Sequence, residues 1–76
     1  MPQIRLYTAT GCQLCDKART VLRQEGAEFE EVDITGRPEL EAAYREWIPV
    51  VEIDGERAFV YHVPPAALRR KLGAQS

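Results

Sequence analysis

The sequence predicts a small α/β protein with the element order β-α-β-α-β-β-α, and three observations carry that prediction. Residues 3–8 alternate apolar and polar side chains, the pattern of a strand. Leu40, Ala43, Tyr44 and Trp47 recur at the spacing of one face of an amphipathic helix. Asp54-Gly55 separates two runs rich in β-branched and aromatic residues, the strongest short-range hairpin signal.

In the first strand Ile4, Leu6 and Thr8 fall on one side and Arg5 and Tyr7 on the other. The small residues Ala9-Thr10-Gly11 suit a tight strand-to-helix turn, with Thr10 as the expected N-cap. A helix is expected over 12–25, with Ala18, Val21, Leu22 and Glu25 on one face, and Gly26 is placed to end it. Residues 27–34 read as a second strand, and the Glu30-Glu31 pair, which breaks strict alternation, suits an edge position.

Pro38 falls in the first turn of the second helix, and Tyr44 and Trp47 read as its packing residues. Ile48-Pro49 ends that helix, because a residue before proline is pushed out of the α region. Strands over 50–53 and 57–61 then flank the Asp54-Gly55 turn. Val63-Pro64-Pro65 stops the sheet, and a last helix is expected over 66–72, with Gly73 beyond its end and 74–76 as a frayed tail.

At 76 residues the chain is expected to form one domain, and its 45% hydrophobic and 29% charged content is that of a globular protein, which argues against disorder. A net charge of -2 with basic and acidic residues interleaved argues against nucleic-acid binding. The N-terminal residues lack the apolar region of a signal peptide, and no apolar run reaches the length of a membrane span. A cytoplasmic monomer is expected.

The only two cysteines lie in Thr10-Gly11-Cys12-Gln13-Leu14-Cys15. Residues three apart on a helix share a face with Cα atoms about 5 Å apart, so the pair can close and open without remodelling the backbone. As a structural cross-link so short a loop would contribute only about 2 kcal/mol. In a chain without an export signal, such a pair points to catalysis or metal binding.

A C-x-x-C at the first strand-to-helix turn, in this element order and with a proline opening the third strand, resembles the thioredoxin superfamily, and within it the glutaredoxins. The stretches that carry the resemblance are Tyr7-Thr8-Ala9-Thr10-Gly11-Cys12-Gln13-Leu14-Cys15, Phe29-Glu30-Glu31-Val32-Asp33-Ile34 and Ile48-Pro49-Val50-Val51-Glu52-Ile53-Asp54-Gly55. The chain looks most like small bacterial glutaredoxin-like proteins with a Gly-Cys-x-Leu-Cys-Asp motif. The resemblance implies a four-stranded mixed sheet in the order 2-1-3-4 with helices on both faces, and a cis Pro49 beside the cysteines. It also implies thiol-disulfide exchange and electron transport. Members that use glutathione usually carry a lysine before the first cysteine, Pro-Tyr between the cysteines and Gly-Gly-x-Asp after the fourth strand. Here those places hold Ala9, Gln13-Leu14 and Tyr61-His62-Val63-Pro64.

Cys12, at a helix N-terminus, is the expected nucleophile, since backbone N–H groups and the helix dipole stabilise a thiolate. The depression of its pKa is expected to be modest, because Ala9 supplies no charge and a nearby Asp16 would oppose ionisation. Cys15, one turn in, is the expected resolving thiol. Gly11, Gln13, Leu14, Ile48 and Pro49 are the expected substrate-binding residues: Gln13 and Leu14 set the exposure and potential of the pair, and the resemblance makes Ile48, before Pro49, the docking point for an extended substrate strand.

His62, the only histidine, reads as a surface or loop residue, and as a third ligand it would leave a structural zinc site one short. Lys17 and Arg19 read as solvated helix charges. No tightly bound cofactor is expected; glutathione or a thioredoxin-reductase-like enzyme is the candidate reductant, and protein, small-molecule or glutathione mixed disulfides are the candidate substrates. The alternatives are an iron-sulfur or zinc carrier bridging two subunits through the cysteines, and a redox-inactive adaptor.

Overall fold

The computed structural model describes residues 3–75. Its elements are β1 (Ile4–Thr8), α1 (Gln13–Gln24), β2 (Glu30–Asp33), α2 (Pro38–Tyr44), β3 (Val50–Ile53), β4 (Glu56–Val60) and α3 (Pro65–Gln75). The strands form one sheet in the order β2-β1-β3-β4. β1 pairs parallel with β2, antiparallel pairs join β1 to β3 and β3 to β4, and α1 is the crossover that the parallel pair requires.

Both faces of the sheet are covered. On one, Ile4 and Leu6 pack with Val51, Ile53, Ala18 and Leu22 of α1, and Leu68 of α3. On the other, Tyr7 and Val50 pack with Ile34, and Leu40 and Tyr44 of α2 cover them. This corrects the expected division of β1 into an apolar and a polar side: Tyr7 is buried, and its ring stacks on Tyr44 with centroids 4.0 Å apart.

β2 is shorter than expected and lies at the sheet edge. The Glu30-Glu31 pair has two separate partners: Glu31 is bound by Arg19 of α1, and Glu30 sits by Arg5 of β1.

The helix ends depart from the sequence reading in three places. Cys12, not Thr10, is the N-cap of α1, so the helix begins at Gln13. α2 closes at Tyr44, leaving Trp47 beyond its end and 42% exposed, its N–H bonded back to the Tyr44 carbonyl. Gly73 lies within α3, which starts at Pro65 and continues through Ala74 and Gln75, so of the expected frayed tail only Ser76 is left, outside the described residues.

The hairpin turn places Asp54 at φ 53° and Gly55 at φ 83°, the left-handed pair of a type I′ turn. β4 ends at Val60, so Tyr61, also at positive φ (66°), lies past the strand rather than in it. No helix among the described residues is long and apolar enough to cross a membrane.

Candidate active site

The chain leaves β1 at Thr8 and turns through residues 9–11, where Gly11 takes φ 78°, a conformation that favours a residue without Cβ. Cys12 follows in extended conformation, its N–H bonded to the Ala9 carbonyl at 3.3 Å. Its Sγ accepts the backbone N–H of Cys15 at 3.1 Å, filling the place that a serine or aspartate oxygen takes at most N-caps. The sulfur thus faces the positive end of α1.

Cys12 and Cys15 are joined as a disulfide with Cα atoms 5.2 Å apart. Cys12 is half-buried, whereas Cys15 is 1% exposed beneath it, one turn into α1. Any partner reaching the pair from solvent therefore meets Cys12 first. Gly11 and Gln13 are exposed around it, and Leu14 is 45% exposed.

Two side chains that the sequence reading passed over hold this turn. Thr35, just after β2, accepts the Thr10 N–H at 3.0 Å, and Thr10 donates its hydroxyl to Asp33 at 3.4 Å. Asp33 also accepts the Thr35 N–H at 2.8 Å, and that bond is the main reason its carboxyl is held below the usual carboxylate range. The signal was an Asp-x-Thr sequence at a strand end, the pattern of an Asx turn.

Asp16 does not stand beside the cysteines as a free charge. Its carboxylate accepts Arg19 at 2.6 Å, and the same guanidinium holds both oxygens of Glu31 at 2.6 Å. Arg19 thus ties α1 to β2 and is not the solvated helix charge expected of it.

β3 brings the second half of the site. Tyr7 is opposite Val50, so Pro49 lies one step further, at the same sheet end as Thr8 and the turn to Cys12. The Ile48–Pro49 peptide is cis; Pro49 is buried and Ile48 half-buried. The Pro49 carbonyl accepts the Tyr61 N–H at 2.9 Å, which draws the segment after β4 to this end.

A groove of about 480 Å³ opens there, between α1 and the segment from β4 to α3. Leu14, Lys17 and Val21 form one wall, and Tyr61, Val63 and Pro65 the other. The sequence reading noted this segment only as a departure from the glutathione-using pattern. His62 lines the groove too, and among the described residues no group of three or more histidine, cysteine, aspartate or glutamate side chains is placed to hold a metal ion.

Comparison with known proteins places this geometry in a family. Residues 3–73 match the glutaredoxin-like domain (DUF836). A glutaredoxin of Pseudomonas aeruginosa is 38% identical over 42 residues, 55% of this chain and 50% of that protein, so the match spans about half the length of that relative. The X-ray structure of a structural-genomics target protein from X. campestris superposes with a TM-score of 0.83 at 33% identity, covering 93% of this chain and 96% of that one. Glutaredoxin 1 from Francisella tularensis, solved with cacodylate, shares the fold at a TM-score of 0.66 and 20% identity over 99% of this chain and 96% of its own. The chain belongs to the glutaredoxin-like domain family.

Proposed function

We propose that the protein is a thiol-disulfide oxidoreductase in which Cys12 is the nucleophile and Cys15 the resolving thiol. The observation that carries this reading is the asymmetry of the pair: Cys12 is half-buried at the N-terminus of α1, and Cys15 is buried one turn behind it. In the reduced protein, a Cys15 N–H placed as it is here and the helix dipole would stabilise negative charge on Cys12 Sγ, where the nucleophile must form. With Arg19 engaging Asp16, the nearest carboxylate on α1 opposes that charge less.

The Cys12 thiolate attacks one sulfur of a substrate disulfide; that S–S bond breaks, and its other sulfur leaves as a thiolate that takes up a proton. Cys15, giving up its proton, then attacks Cys12 Sγ, breaks the mixed disulfide and releases the second substrate sulfur as a thiol. Two electrons have moved from the dithiol to the substrate, leaving Cys12–Cys15 oxidised. A thiol reductant, glutathione or a thioredoxin-reductase-like enzyme, returns them.

The substrates are protein or glutathione mixed disulfides, and the backbone at Ile48, before Pro49, receives the extended substrate strand. The work is electron transport in the cytoplasm by a monomer. The test is disulfide reduction with a thiol reductant: Cys12→Ser should be inactive, and a wild-type rate in that variant would sink the reading.

A further inference from the structure

Three large hydrophobic side chains are conspicuously exposed among the described residues: Leu14 at 45%, Trp47 at 42% and Tyr61 at 46%. Much of any folded protein's surface is apolar, so a solvent-facing leucine or aromatic is unremarkable singly, whereas a group of them on one site marks a contact surface. The three connect to one another at the end of the sheet that carries the cysteine turn. Leu14 lies between the cysteines, and Leu14 and Tyr61 line opposite walls of the groove. The Trp47 ring is 6.0 Å from that of Tyr61, whose hydroxyl is held by the Glu46 carbonyl at 2.7 Å. Tyr61 keeps its outward position at φ 66°, where its N–H is tied to Pro49.

The charges on the groove are sparse. Asp16 is engaged by Arg19, which leaves Lys17 as the wall's one cation without an ion pair among the described residues. Glutathione carries two carboxylates and an ammonium group and would need a matching set of charges. The groove offers instead Leu14, Ala18, Val21, Val63 and Pro65, a wall suited to leucine or aromatic side chains.

We infer that the groove and the Leu14–Tyr61–Trp47 patch dock an uncharged, apolar segment of the protein that carries the target disulfide, with the groove taking side chains next to its cysteine. This inference rests on the proposed exchange chemistry and names its substrate class. Contact area beside Cys12 would select the protein disulfide, and glutathione would serve at most as reductant.

Trp47, the only tryptophan, provides a readout that needs no turnover. The redox-dead Cys12→Ser/Cys15→Ser protein is titrated, with Trp47 emission followed, against three probes. They are a short disulfide-bonded peptide with leucine and phenylalanine beside its cysteine, a twin with glutamates there, and glutathione disulfide. The expected result is a blue shift with the apolar peptide at a concentration about tenfold or more below the other two, the scale of one or two large side chains leaving water. Tyr61→Asn, which accepts a left-handed backbone, and Leu14→Gln, at an exposed position, should each remove most of that preference.

Equal affinity for the two peptides, tighter binding of glutathione disulfide, or a preference unchanged in both variants would overturn the inference. So would a blue shift on concentrating the protein alone, which would make a second copy the occupant. Turnover by the wild type distinguishes the two levels. Selective docking without reduction refutes the exchange reading, whereas reduction without selective docking refutes only the inference drawn from the groove.

Discussion

Replacing Arg19 by methionine keeps the length of the side chain and removes its charge, and the structure sets the size of the effect. The guanidinium donates to both oxygens of Glu31 and to Asp16, each at 2.6 Å. Asp16 is 72% exposed and contributes little, while the Arg19 and Glu31 side chains are 24% and 34% exposed, so water screens their attraction substantially. A two-pronged pair of this kind belongs at the upper end of surface ion pairs, about 1 kcal/mol at pH 7. For a domain of this size that is a fall in Tm of about 4–8 °C. The contribution is pH-dependent with a definite sign. Arg19 holds the Glu31 carboxyl below its ordinary value of 4.5, so the stabilisation is complete above that value and is lost as pH falls through the folded-state pKa. Urea, which is uncharged, is the denaturant to use, with Trp47 fluorescence as the probe. The gap in stability between wild type and Arg19→Met should be about 1 kcal/mol at pH 7 and narrow on lowering the pH to 3. A gap of the same size at both pH values, or none at pH 7, would refute the assignment.

Leu22, fully buried where α1 meets the sheet, should cost about 2–5 kcal/mol when cut to alanine, measured by the same urea titration; a loss below about 1 kcal/mol would mean that α1 is not anchored there. Two glycines offer a paired test, since a Cβ at either meets nothing within 4 Å and only the backbone differs. Gly55→Ala, at φ 83°, should destabilise by about 1 kcal/mol, whereas Gly73→Ala, inside α3, should stabilise by about 0.5–1 kcal/mol. Thermal melts that shifted both variants in the same direction would contradict the assigned backbone conformations.

The elements whose signals are local were legible in the sequence. Gly26 ends α1 in the left-handed conformation, Pro38 opens α2, and Asp54-Gly55 makes the hairpin, because each needs only its own backbone preference. The order of the strands came from the family resemblance. Where a residue's position depended on tertiary partners, the pattern misled. Thr10 has the side chain of an N-cap, but its hydroxyl and N–H are used by Asp33 and Thr35, and a sulfur does the capping instead. The helical period from Leu40 to Trp47 continues on paper, but a residue before proline is disfavoured in the α region, and α2 closes at Tyr44, before Trp47 is reached. Gly73 reads as a stop, yet no proline follows it and the helix passes through. At the site, Cys12 and Cys15 stood out as the only two cysteines, set at C-x-x-C spacing where the first strand turns into a helix. The groove wall at Tyr61 and Val63 did not, because a concave surface between α1 and a distant loop leaves no periodicity in either.

The central claim is that Cys12 attacks and Cys15 resolves, and the intact mass of Cys15→Ser after exposure to a disulfide substrate tests it most directly. Without a resolving thiol the exchange should stop at the first step, leaving one substrate half attached through Cys12, releasable by a reductant and absent from Cys12→Ser. An adduct on Cys15 in the Cys12→Ser protein, or none in Cys15→Ser, would contradict the account.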